Sequence, residues 1–252
     1  MGGDGCKMSR FFVEKGAQIG EMLVIKGENF HHIKNVLRHK IEDRLVFCDG
    51  SGLEFFCVIK RIFKDCLEVF VEDVRKSKNE PDLKITLFQG LPKADKFEYI
   101  IQKAVELGVN NIVPVKTSRC IVKIDENSAQ KKIDRWQKIS FEAAKQSRRA
   151  IIPKIKNIVS FNEACKKHQD FDLRIIPYEN EKINTIRQAL KAKNLIKNIG
   201  VFIGPEGGFE ESEIDIAKQN SIIPVTLGNR ILRTETAGIA ILSMLMYEFE
   251  EA

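Results

Sequence analysis

The sequence predicts an α/β protein, a mostly parallel β-sheet covered by helices and preceded by a small β-barrel. Three observations carry this expectation. From residue 83 onward, short apolar segments alternate with amphipathic stretches of helical period, the pattern of a sheet covered on both faces. Residues 9–76 read differently, as short strands around a single helical stretch. Between the two regions lies the polar run Lys76–Asp82, which contains Pro81 and reads as a linker. The expected domains are therefore residues 1–78 and 79–252, and a chain of 252 residues is long enough to bury a core in each.

In the first region the expected strands are Phe11–Val13, Met22–Ile25, Arg44–Phe47, Leu53–Ile59 and Cys66–Val71. A helix is expected over Glu28–Leu37, with Phe30, Ile33, Val36 and Leu37 on one side. The seven residues ahead of Met8 read as an extended start and have no part in the fold expectation. In the second region, strands are expected at Lys84–Gln89, Ile112–Val115, Leu173–Ile176, Gly200–Ile203 and Ile222–Leu227. Helices fit Asp95–Leu107, Ser128–Arg149, Lys182–Lys191, Glu211–Asn220 and Thr234–Glu248. Asp95 and Glu98 have the spacing of a capping box, and Gly108 is placed to end that helix. On Ser128–Arg149, the residues Ile133, Trp136, Ser140 and Ala143 recur at helical spacing and predict the buried face. Residues 9–76 alone would form a barrel too small to house much chemistry, so the candidate site belongs to the second region.

Composition narrows the function classes. No apolar run approaches the roughly 20 residues that cross a bilayer, and Ala237–Met246 suits a buried helix. A soluble, cytoplasmic protein is expected. The six cysteines form no Cys-x-x-Cys pair, and His31, His32, His39 and His168 offer no matching spacing, so no metal is expected. His31 and His32 read as packing or surface residues. The charge is uneven: residues 81–200 hold 24 Lys/Arg against 13 Asp/Glu, although the whole chain is only +6. Positive charge concentrated in this way favours a polyanion such as nucleic acid.

In an open α/β sheet, ligands bind beyond the carboxyl ends of the strands. Three loops fall there: Pro177–Glu179, Gly204–Phe209 and Gly228–Arg233. Gly204, Gly207 and Gly208 leave a backbone bare enough to lie against a flat ligand. Taken alone, that segment is explained equally well as a tight strand-to-helix turn. Glu210, Glu211 and Glu213 already offset the positive end of the next helix, which argues against a phosphate cradle. The dinucleotide fingerprint, the P-loop, the Gly-x-Ser-x-Gly elbow and His-Glu-x-x-His are all missing. Thr234 is expected to cap the last helix and Glu235 to occupy its first turn. Arg233 is not explained by capping, because a cation is unfavourable at a helix N-terminus.

The stretches Ile203-Gly-Pro-Glu-Gly-Gly-Phe209 and Leu227-Gly-Asn-Arg-Ile-Leu-Arg-Thr-Glu-Thr-Ala237 resemble the signature of the 16S ribosomal RNA uridine-N3 methyltransferase family, within the SPOUT class of trefoil-knotted methyltransferases. The resemblance extends through Leu91-Pro-Lys-Ala-Asp-Lys96, Lys103-Ala-Val-Glu-Leu-Gly108, Glu142-Ala-Ala-Lys-Gln-Ser-Arg148 and Val36-Leu-Arg38, and so covers nearly the whole chain. Ala94 is a departure, standing where glycine is commoner in the family. What the resemblance implies is a PUA-like β-barrel followed by a trefoil-knotted α/β domain, working as a homodimer on 16S ribosomal RNA or the small ribosomal subunit. Physical rules alone lead to an ordinary doubly wound sheet, since knots are rare. The resemblance also implies S-adenosylmethionine as cofactor, held among the three loops by Pro177, Gly204, Pro205, Glu206, Gly207, Gly208, Leu227, Gly228, Ile231, Leu232, Thr234 and Thr236.

Uracil N3 carries a proton at neutral pH, so its methylation needs a proton acceptor and a cation for the charge that develops on the ring oxygens. Arg233 is expected to be the cation, and Glu206 or Glu235 the acceptor. The basic stripe Arg135, Lys138, Lys145 and Arg149, extended by Arg148 and by Lys116, Arg119 and Lys123 upstream, is expected to meet RNA phosphates. Arg38, Lys93, Lys96 and Arg230, which stand in the motif segments, complete the expected RNA contacts. Trp136 is read as core rather than as a stacking platform. Two other readings stay open at this point: a related enzyme acting on another base or a ribose 2′-hydroxyl, and a non-catalytic RNA-binding assembly factor. The missing dinucleotide fingerprint disfavours a nicotinamide-dependent enzyme.

Overall fold

The computed structural model describes residues 10–14, 16–93, 95–122, 124–166, 171–192 and 195–250. Residues 1–7, Ala94, Lys123 and His168 lie outside the described residues. The chain divides into two units: residues up to Glu80 together with Arg148–Ile152, and Pro81–Ser147 together with Pro153 onward.

The first unit is a five-stranded sheet. Its strands β1 (Arg10–Phe12), β2 (Met22–Ile25), β3 (Arg44–Cys48), β4 (Leu53–Ile62) and β5 (Leu67–Lys76) lie in the order β1-β3-β4-β5-β2. Only β1 and β3 run parallel. Alternate residues of β5 (Leu67, Val69, Val71) join Phe47 of β3 and Phe55 of β4 in one apolar core.

The expected helix over Glu28–Leu37 is a short α1 (Gly27–His31) that passes into a π turn over His32–Val36. The Leu37 NH accordingly reaches back to the His32 carbonyl. The wider turn adds a residue and rotates the side chains beyond it. Phe30 and Ile33 are buried as expected, but Val36 and Leu37 are exposed, which corrects that part of the sequence reading.

The boundary between the units, between Glu80 and Pro81, falls inside the expected linker, two residues beyond the expected domain boundary. Glu80 is held within the first unit, where its carboxylate accepts hydrogen bonds from the Arg149 guanidinium at 2.7 Å and from the Ala150 and Ile151 backbone at 2.7 and 2.9 Å.

The second unit holds β6 (Lys84–Gly90), β7 (Asn111–Lys116), β8 (Lys154–Ile155), β9 (Val159–Ser160), β10 (Leu173–Pro177), β11 (Asn198–Ile203) and β12 (Ile223–Val225). Six of these run β12-β10-β11-β6-β7-β8, with β9 also on β7, and every pairing is parallel. In β6 every residue after Lys84 is buried, as a strand covered on both faces requires. Phe88 stacks on Phe202 of β11 with centroids 4.3 Å apart, at the centre of the core. The helices are α2 (Lys96–Glu106), α3 (Glu126–Gln146), α4 (Phe161–Lys166), α5 (Ile186–Lys191), α6 (Glu211–Gln219) and α7 (Thr234–Phe249).

Three details of the helices differ from expectation. Asp95 precedes α2 without a side-chain cap bond: the Glu98 NH donates to the Asp95 backbone carbonyl at 3.1 Å, and the Glu98 carboxylate pairs with Arg135. Helix α3 ends at Gln146, capped at its start by Asp125 accepting from the Ser128 NH. The residue capping α7 is Arg233, and Thr234 is the first helical residue. Ile133, Trp136, Ser140 and Ala143 form the buried face of α3 as expected, and Trp136 packs on Phe97. Gly108 follows α2 with φ +83°, a conformation suited to ending a helix. No helix among the described residues is long and apolar enough to cross a membrane.

Candidate active site

Strands β10, β11 and β12 end side by side, so the segments that leave them converge. Together with the start of α7 they line a cavity of about 420 Å³. One wall is Pro177–Asn180 with Lys182, the second is Ile203–Phe209, and the third is Thr226–Leu232, with Thr234 and Ala237 closing the end.

The middle wall is shaped by its glycines. A Cβ on Gly204 would stand 3.1 Å from the Gly208 backbone, and Gly208 itself has φ +68°. The chain can fold back on itself here only without side chains. The turn leads into α6, where the Glu213 carboxylate accepts from the Glu210 NH at 3.0 Å and the Glu213 NH donates to the Glu210 backbone carbonyl. Glu213 is buried, and its other oxygen accepts from the Ser118 NH at 2.9 Å. This ties the segment after β7 to the same place. Arg119 then lies over Gly207, with its Nη1 donating to the Gly207 carbonyl at 2.8 Å.

Three charged groups meet beside the cavity. The Glu206 carboxylate accepts from the Lys93 NH at 3.1 Å, and Lys96 Nζ stands 3.2 Å from Glu206 and 3.7 Å from Glu235. Burial pushes the Glu206 carboxyl upward, but hydrogen bonds from its own NH and from Lys93, with Lys96 alongside, hold it below the ordinary carboxylate value. Glu235 Oε2 is buried and has no hydrogen-bond donor among the described residues.

Of the expected cofactor residues, Thr236 alone does not line the cavity and is exposed instead. Arg233 is exposed just outside the lining, and Arg230 lines the cavity. Lys93, Arg119, Arg135, Lys138 and Arg148 are exposed, as is Arg38 in the first unit. Two expected RNA contacts stand elsewhere. Lys96 is held by the two acids. Arg149 is only 2% exposed and is paired with Glu80. Because α3 ends three residues before Arg149, that side chain leaves the helix stripe and is corrected from phosphate contact to buried ion pair.

Sequence reasoning missed Asn180, Lys182 and Thr226, which line the cavity. It also missed Gln89, a fully buried residue at the end of β6. No local signal marks it, because its partners Gly204 and Thr234 lie 115 and 145 residues away.

Residues 78–246 match a family profile described as an RNA methyltransferase domain, and residues 25–71 match an RNA methyltransferase PUA domain. The chain is 37% identical to the ribosomal RNA small subunit methyltransferase E of Bacillus subtilis over 96% of this chain and 98% of that one. The chain belongs to this RNA methyltransferase family. A structure of the Neisseria gonorrhoeae member, bound to S-adenosylmethionine, is similar with a TM-score of 0.82 and 32% identity over 96% of this chain and 98% of that one. A Legionella pneumophila putative methyltransferase, also in complex with S-adenosylmethionine, gives 0.80 and 32% with the same coverage. The match to the methyltransferase domain takes in every residue that lines the cavity.

Proposed function

We propose that this chain transfers the methyl group of S-adenosylmethionine to N3 of a specific uridine in 16S ribosomal RNA. The observation that carries the reading is the cavity closed by the Gly204–Phe209 and Thr226–Leu232 segments, in a chain 37% identical to a small-subunit ribosomal RNA methyltransferase. The residues present fit the cofactor. Bare backbone at Gly204 and Gly208 and apolar walls from Ile203, Leu227, Leu232 and Ala237 suit a flat base. Glu179, Asn180 and Thr226 offer polar partners for hydroxyl and amine groups. When bound, the cofactor supplies a methyl group on a sulfonium centre.

The chain's own contribution is positioning, a proton acceptor and a cation. Glu235 is the better acceptor for the N3 proton, because its Oε2 has no hydrogen-bond donor among the described residues and stands 3.7 Å from Lys96, whereas Glu206 accepts from the Lys93 NH and lies closer to Lys96 at 3.2 Å. Arg233, whose guanidinium has no ion-pair partner among the described residues, meets the negative charge on the uracil oxygens. Exposed Lys93, Arg119, Arg135, Lys138, Arg148, Arg230 and Arg38 contact RNA. The second unit is read as a trefoil-knotted SPOUT domain, and the first as a PUA-like barrel. Met244 and Tyr247, exposed apolar residues of α7, suit a homodimer contact. A cytoplasmic location follows from the ribosomal substrate.

The test is to incubate the protein with labelled S-adenosylmethionine and small subunits lacking the modification, then digest the RNA and identify the methylated nucleoside by mass spectrometry. N3-methyluridine is the expected product. Methyl on a ribose, on another base, or no transfer at all would overturn the proposal.

A further inference from the structure

We infer that Gln89 is a positioning residue of the cofactor pocket, whose side-chain amide sets the spacing between the Gly204 segment and the start of α7. The inference rests on the reading that the cavity holds S-adenosylmethionine. Gln89 does not itself line the cavity. It acts through Gly204 and Thr234, which do line it.

Proton count constrains the hydrogen-bond wiring. Gln89 Nε2 has two hydrogens. One goes to the Gly90 carbonyl at 3.0 Å. The other is shared between Thr234 Oγ1 at 2.9 Å and the Gly204 carbonyl at 3.4 Å. The single hydroxyl proton of Thr234 is donated to the Gly204 carbonyl at 2.6 Å. One amide thus closes a triangle joining β6, the segment after β11 and the first turn of α7.

The opposite end of the amide shows why a glutamine stands here. Gln89 is 0% exposed, and its Oε1 has no hydrogen-bond partner among the described residues. A buried oxygen left unpaired is destabilising, and an apolar side chain of similar size would avoid the loss. What glutamine provides that such a side chain lacks is the donor end, directed at two residues of the pocket. Packing alone does not account for it.

Gln89→Glu tests the wiring, because a carboxylate has no donor and a protonated acid regains one. Burial disfavours the charged form, so the acid regains its proton as the pH is lowered. Calorimetric titration of S-adenosylmethionine into the full chain is expected to show affinity roughly tenfold below the parent at about pH 8.5, recovering at about pH 6, while the parent stays flat. Gln89→Met and Thr234→Val should be weakened at every pH, and Thr234→Ser should bind as the parent does. At saturating cofactor and RNA, Gln89→Met should transfer methyl at close to the parent single-turnover rate, which separates pocket spacing from a role in the chemical step. A purely structural role would lower the melting temperatures while leaving affinity and its pH profile unchanged below the melt, and that result would overturn the inference. If Gln89→Glu does not fold, the Thr234 pair decides: equal affinity of Val and Ser variants rejects the triangle. If the parent itself takes no S-adenosylmethionine, the functional reading fails and this inference with it. A binding parent with unchanged variants defeats the inference alone.

Discussion

Between β11 and α6, the Gly204 carbonyl receives Thr234 and Gln89, the Glu206 carboxylate receives the Lys93 NH, the Gly207 carbonyl receives Arg119, and Glu210 is capped by Glu213. Between β12 and α7, the Thr226 NH reaches the Asn184 carbonyl at 2.8 Å, but beyond it the hydrogen bonds are local: the Gly228 NH to the Thr226 hydroxyl at 3.1 Å, and the Ala237 NH to the Arg233 carbonyl at 2.8 Å. Ile231 in that second segment is 89% exposed, and Arg230 and Arg233 are also exposed. Both segments line or border one cavity, yet one is fixed by distant residues along its length and the other only where it leaves β12. The fixed wall suits a ligand of constant shape, which benefits from preorganisation. The open wall carries the cations and suits an anionic substrate that completes the site on arrival.

The largest expected effect belongs to the open wall. Arg233→Ala should lower the single-turnover methylation rate by a factor of order 10²–10³, with Arg233→Lys falling less, because lysine keeps the charge but not the planar fork of donors. Cofactor affinity, measured by calorimetry, should survive both changes. A parent-like rate for the alanine variant would move the cation's task to Arg230 and erase the functional half of the contrast.

Next comes the fixed wall. Gly208→Val places a branched side chain at φ +68°, with its Cβ about where Glu179 Oε1 is 3.2 Å away. Cofactor binding should be lost while the far-ultraviolet spectrum persists. Gly207→Val should act differently, since its Cβ would meet Arg119 Cβ at 3.1 Å and dislodge that arginine. Equal, parent-like affinity in both variants would show that this wall is not part of the pocket.

Glu213→Ala removes the buried carboxylate that joins Ser118 to the start of α6, leaving two backbone NH groups unpaired. A loss of about 1–3 kcal/mol in stability is expected, read from denaturant melts. If the melt is unchanged, the wall owes its rigidity to the glycines alone.

The smallest effect concerns pH. Glu206 has its folded-state carboxyl below the ordinary 4.5, so its contribution is complete above that value and is lost as the pH falls through the lower folded value. Replacing it by Gln should flatten the acid side of the stability profile slightly. A variant profile as steep as the parent's would remove Glu206 from the fixed wall's supports.

Much of this site was legible because its loops are composed of punctuating residues. Glycine, proline and paired arginines at strand ends announce a turn facing a ligand, whatever the tertiary context. The supports were not legible. Gln89 stands next to the last residue of β6, and its partners lie 115 and 145 residues away, so nothing local marks it. Arg149 continued a helical period that the chain abandons at Gln146, where Arg148 takes φ +59° without a glycine to signal it. The π turn at His32–Val36 shifts the register by one residue, which i, i+3 spacing cannot show, so Val36 and Leu37 were assigned to the wrong side. Helix α4, six residues long, is too short to display a period.

The return of Arg148–Ile152 to the first unit bears on the order in which the molecule is made. Ile151 bridges Gly50 and Ser51, and Arg149 neutralises a Glu80 carboxylate that is otherwise surrounded by protein. During synthesis, the first 80 residues therefore emerge without the counterion of Glu80 and without the residue that bridges Gly50 and Ser51. They stay incomplete until nearly 70 further residues, including β6, β7 and α3, have been added. The first unit closes only after much of the second has left the ribosome, so a fragment cut at residue 80 lacks a part of its own fold.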